Sequence, residues 1–115
     1  MNIKDILYGS FWFMLAHIIT FFQLNGQFKW DWFRNNELLL ALVGFPISFL
    51  YIWATKHTIV GFDGMMWPAR FIGFGIGMVI YAFGVSFFFN QGITLKTVVS
   101  LVLALSLILV QLFWK

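Results

Sequence analysis

The chain has 115 residues, of which 62% are hydrophobic, 22% aromatic and 10% charged, against ~45–50% apolar and ~25% charged in an ordinary soluble domain. A mean hydropathy of +0.92 excludes a soluble fold, because a domain of this length has no interior large enough for 16 Phe, 6 Trp and the aliphatic residues besides. Seven Lys and Arg against four Asp and Glu leave a net charge of +3, spread singly along the chain, so no basic patch tracks a phosphate backbone and nucleic acid is not an expected partner. Without cysteine, the chain has no disulfide, thiolate nucleophile or iron–sulfur ligand.

A hydrocarbon core of about 30 Å takes roughly 20 apolar residues per helix, and four charge-poor segments meet that need. Residues 1 to 5 run straight into the first without a small-residue cleavage site, so it reads as a retained span, at about 6–24, broken by Asn25, Gly26 and Gln27. The second, 38–55, opens at Asn36 and Glu37, an order that suits the positive end of a helix dipole. The third, 69–89, follows Trp67 and Pro68, the proline placed for a first turn. The fourth, 97–114, is rich in Leu, Val and Ile and closes at Lys115. Lipid leaves backbone groups unpaired unless each segment satisfies its own, and no run of about ten alternating residues marks a barrel strand. The expected architecture is therefore an all-α, multi-pass integral membrane protein, with four transmembrane helices in a compact bundle and the lipid bilayer as its main partner.

Trp30, Trp32, Trp67 and Trp114 fall at the expected helix ends, where indoles favour the interface. The connection 26–36 sets Lys29, Asp31 and Arg34 among Trp30, Trp32 and Phe33, a composition expected to lie in the headgroup layer. The connection 56–70 is apolar in two places and either extends the flanking helices or dips toward the membrane. With the N-terminus inside, Lys4, Lys56, Arg70 and Lys115 lie inside, and Lys29, Arg34 and Lys96 outside. So even a balance gives a weak N-in bias and leaves room for dual topology, in which antiparallel copies pair.

Gly73, Gly77 and Gly84 share one face of the third span, and Gly75 with Ala82 makes a second small face. Such faces let helices approach closely, within the bundle or across a dimer. Ser100, Ala104, Ile108 and Gln111 form a comparable stripe on the fourth span. Pro46, after Gly44 and Phe45, interrupts the second span as a bend or hinge. His17 is the one ionisable side chain deep within a span, where such groups face the interior, either tied to a neighbouring polar group or exchanging a proton. One histidine makes no metal site, and Glu37, Asp63 and Arg70 are explained by helix ends. No paired carboxylates, nucleophile–base couple, phosphate-cradling glycine loop or zinc spacing is present, so neither an enzyme nor a cofactor is expected.

Four spans with nearly balanced charge resemble the small multidrug resistance family, and more broadly a half-length member of the drug/metabolite transporter superfamily. The likeness lies in Gly73-Phe74-Gly75-Ile76-Gly77, in the short connection Phe87 to Lys96, and in the aliphatic run to Trp114. In the first half the chain departs from the family: where the family carries a coupling glutamate, Ala16-His17-Ile18-Ile19 offers an imidazole. The resemblance implies a bacterial inner-membrane homodimer that moves a small organic solute or cation through a central cavity lined by spans one to three. In that setting His17 would bind or couple, and Tyr51, Trp53 and Tyr81 would form aromatic walls able to hold a cation. Two other readings stand beside it. One is a structural or accessory subunit of a larger membrane complex. The other is a holin-like or viroporin-like pore-former using the Ser100 to Gln111 stripe.

Overall fold

The computed structural model describes residues 1–114 as an all-α membrane bundle; the closing position of the fourth span, Lys115, lies outside the described residues. Helix α1 spans Ile3–Asn25 and starts earlier than its apolar run, because Asn2 Oδ1 accepts from the backbone N–H groups of Lys4 and Asp5. That cap puts both charged residues into the first turn, with Asp5 at the positive end of the dipole. A 3-10 turn at Gly26–Phe28 and a short α2, Asp31–Asn35, follow. Helix α3 is Glu37–Gly61, α4 is Met66–Phe88 and α5 is Leu95–Phe113. The four long helices are each long and apolar enough to cross a bilayer.

Local chemistry sets the helix ends. Asn36 precedes α3 but does not cap it through its side chain; its amide instead donates to the Trp32 carbonyl at 2.6 Å, tying α3 to α2. Helix α3 then continues past Lys56 and His57, six residues beyond the charge-free window, with Pro46 inside unbroken helix. It ends in a Schellman pair, Gly64 N–H to the Ile59 carbonyl at 2.8 Å and Asp63 N–H to Val60 at 3.1 Å. Asp63 takes the left-handed conformation (φ 59°) that glycine usually fills. Of the two expectations for residues 56–70, helix extension is the one realised, with a turn of only 62–65 between α3 and α4. Pro68 sits in the first turn of α4, where its missing N–H has no partner to lose. Thr94 caps α5 by accepting from Thr97 N–H.

Helix α1 is the hub. It runs antiparallel to α3, with Gly9 pressed against Thr58 and the Ala54 carbonyl at one end and Gln23 donating to the Leu40 carbonyl at 2.8 Å at the other. Ala54 and Thr58 are fully buried in this seam, and Ala16 is fully buried on α1. Helix α4 runs parallel to α1, with Gly73, Gly77 and Gly84 beneath the rings of Phe13, His17 and Phe21. Helix α5 leans antiparallel on α4, with Ile108 over Gly75 and Ala104 buried. The lateral order α3, α1, α4, α5 gives a flattened bundle, 48 × 36 × 17 Å. Most large apolar side chains point outward, Leu38 at 74% and Leu95 at 80% exposure among them. That is the pattern of a fold whose solvent is hydrocarbon.

The connection 26–36 folds against the helix ends. Trp30 packs on Phe22, Phe33 and Phe88, and Lys29 Nζ donates to the Phe88 carbonyl at 2.5 Å. A cation thereby meets the negative end of α4. Trp67 and Trp114 are exposed at the ends of α4 and α5, and Trp32 is exposed on the short α2.

A Cβ at Gly9 would lie 2.0 Å from Thr58 Oγ1 and 2.8 Å from the Ala54 carbonyl, whereas one at Gly92 would meet nothing within 4 Å. Gly9→Ala is expected to destabilise the chain by on the order of 1–3 kcal/mol in reversible unfolding in mixed micelles. Gly92→Ala should stay close to wild type.

Candidate functional site

Because α1 separates α3 from α4, the two outer helices diverge beyond their turn and leave a cleft of about 850 Å³ with α1 as its floor. Such a volume is within the range of small-molecule pockets. The floor carries Phe13, His17, Thr20 and Phe21; the α3 wall carries Tyr51, Thr55 and Ile59. The α4 wall runs from Met66 through Arg70, Gly73 and Gly77 to Tyr81. Fifteen residue steps of helix make the cleft roughly 22 Å long, a large part of the bilayer's depth.

The glycines make this geometry. Gly73 and Gly77 have no side chain to fill the space over α1, and a Cβ at Gly77 would fall 2.7 Å from the His17 ring. The imidazole therefore lies between a bare backbone and the ring of Tyr51, whose centroid is 5.4 Å away in an edge-on arrangement. The Tyr51 hydroxyl joins His17 Nδ1 at 3.3 Å and Thr20 Oγ1 at 3.3 Å. When Nδ1 is unprotonated, Tyr51 donates to it and accepts from Thr20. Phe13 stacks on the imidazole at 6.3 Å and Phe21 meets Tyr81 at 5.7 Å. A polar string at mid-membrane is thus set inside an aromatic sleeve.

The expected aromatic walls divide. His17, Tyr51 and Tyr81 share the cleft. Trp53 stands on another face of α3, 42% exposed, where it packs on Trp12 and Phe49. The small residues also find their places: Gly73, Gly77 and Gly84 face α1, and Ala104 faces α4 across an apolar crevice. Ser100 is exposed, with its hydroxyl donating to the Lys96 carbonyl of its own helix. Pro46 is exposed on α3 away from the cleft.

Of the cleft residues that escaped the sequence reading, Phe13 and Phe21 are hidden among 16 Phe, and two others are polar or charged. Thr20 lies three residues after His17, a spacing that places both on one helix face, and this was the available signal. Arg70 reads from sequence as a helix-end charge, and nothing in its neighbours announces that it lines the cleft. Asp5 and His57, at the same end, are paired at 3.3 Å, and the Met1 amine pairs with Asp63 at 2.8 Å.

Tyr51→Phe keeps the ring contacts and removes both interhelical hydrogen bonds, each worth about 0.6 kcal/mol in a membrane bundle. Unfolding measurements should show a small loss for Tyr51→Phe and a several-fold larger one for Tyr51→Ala. Equal losses would place the value of Tyr51 in its hydroxyl alone.

No family model, curated protein or solved structure matches this chain.

Proposed function

We propose that this small multi-spanning membrane protein is a carrier, moving a small organic solute through the cleft between α3 and α4. The observation that carries the reading is the polar string Thr20, Tyr51 and His17 on the floor of a cleft inside the membrane-spanning region. Polar and ionisable groups are expensive at that depth and mark solute or proton paths. A purely structural span has no need of an 850 Å³ space beside its only deep imidazole. In this reading His17 is the binding or coupling group, Tyr51 orients it, and Phe13, Phe21 and Tyr81 supply aromatic contact to the solute.

The reading includes a second copy of the chain. A layer 17 Å thick leaves the cleft open on one side, and a partner copy would close it against lipid. The resemblance to small multidrug resistance proteins supports the same arrangement. The pore-former alternative draws less support: in the Ser100 to Gln111 stripe it would use, Ala104 and Ile108 are apolar and turned toward α4, which leaves polar groups only at the two ends.

The native absence of cysteine makes the test direct. Thr20→Cys, in vesicles holding the otherwise unchanged chain, is expected to react with a membrane-impermeant thiol reagent applied from either side, while the vesicles stay impermeable to ions. Failure to react from both sides would overturn the carrier reading. Reaction accompanied by ion conductance would replace it with a pore.

A further inference from the structure

The charge on the cleft is of one sign. Among the described residues Arg70 is the one permanently charged side chain lining it, and no Asp or Glu does so. Among the described residues Arg70 has no ion-pair partner. The carboxylates at its end of the bundle are engaged, Asp5 with His57 and Asp63 with the Met1 amine. Lys4 and Lys56, the other cations at that end, stand exposed outside the cleft. Arg70 is exposed as they are, and differs from them in lining the mostly apolar cleft.

That cleft is shaped for a tail. From Arg70 it passes Phe13, Phe74 and Met78 toward Phe21 and Leu24, with the His17–Tyr51–Thr20 string as its polar point midway. From Arg70 to Tyr81 it runs eleven residue steps, roughly 16 Å, about the ~15 Å depth of one leaflet, half of a ~30 Å hydrocarbon core. The aromatic walls alone would suit an organic cation, but no carboxylate stands ready to neutralise one, and Arg70 would repel it. A guanidinium at the mouth of an apolar groove instead forms charge-assisted hydrogen bonds to a phosphate or carboxylate while the groove takes the hydrocarbon.

We propose that the cleft binds an amphipathic anion, with its phosphate or carboxylate on Arg70 and its apolar tail along α1 toward His17. This rests on the reading of the cleft as the ligand site and assigns its substrate class. The ligand has two sources, a membrane phospholipid or a free single-chain acid, and they share one chemistry.

The experiment uses the full chain in phosphatidylcholine nanodiscs, with bound molecules counted by native mass spectrometry after addition of phosphatidylglycerol, palmitate or dodecyltrimethylammonium. One of the two anions is expected to be retained at one per chain, and which one identifies the source. Arg70→Gln should weaken that retention at least about tenfold, the loss expected for a charge-assisted pair. Arg70→Lys should recover part of it, and Lys56→Gln should leave it unchanged. Retention of neither anion, a preference for dodecyltrimethylammonium, or equal losses in Arg70→Gln and Lys56→Gln would overturn the proposal. Labelling at Thr20→Cys with no Arg70-dependent anion would leave the carrier standing and remove its substrate class. An Arg70-dependent anion on a chain whose Thr20→Cys cannot be labelled would do the reverse.

Discussion

The close approach of α1 to its two neighbours is the constraint on which the rest depends. Between helices in lipid there is little hydrophobic drive, so contact must come from packing and interhelical hydrogen bonds. Here α1 reaches α3 through Gly9, Ala54 and Thr58, and receives α4 through Gly73, Gly77 and Gly84. Both seams are made where side chains are small or absent. Because both lie on α1, the outer pair cannot also pack on each other along their length, and the cleft is the space that remains. The function proposed for the chain occupies a geometric remainder of its packing.

The same seams decide what the cleft contains. The missing side chains of Gly73 and Gly77 lower the α4 wall until the rings of Phe13 and His17 lie beside backbone. The imidazole then turns to Tyr51, and Tyr51 to Thr20. Each of these groups thereby finds a hydrogen-bond partner within the bundle. At one end of the groove this polar string gives way to Arg70, so the cleft carries both a mid-membrane polar group and an entrance charge. Helix α5 touches none of this. It adds an apolar crevice against α4 and a broad lipid-facing surface.

Much of the fold was legible in the residues because the bilayer imposes a length and forbids unpaired backbone. Charge-free windows located all four helices, and Trp67 and Trp114 marked the start of α4 and the end of α5. The windows ran short where a polar residue serves the helix itself: Asn2 draws Lys4 and Asp5 into α1, and α3 carries Lys56 and His57 through to Gly61. The glycine face of α4 was legible as a packing face, but spacing alone could not tell which helix it meets. Its partner is α1. The seam between α1 and α3 was harder to see, since Ala54 and Thr58 look unremarkable among aliphatics. Within the site, depth alone identified His17. The division of Tyr51 from Trp53 depends on which side of α3 faces α1, and in a helix apolar all round no polar face declares it. Arg70 was hidden for the opposite reason, because a charge at a helix end already has an ordinary explanation.

The central claim, that α1 holds α3 and α4 apart, is tested most directly by a Thr55→Cys/Phe74→Cys pair in liposomes. These positions line the cleft from α3 and α4. The account predicts that oxidation leaves the pair unbridged within the chain, while a flexible bismaleimide longer than the about 10 Å between packed helix axes links it. A disulfide formed rapidly and completely within one chain would show α3 and α4 packed directly together, with no cleft between them.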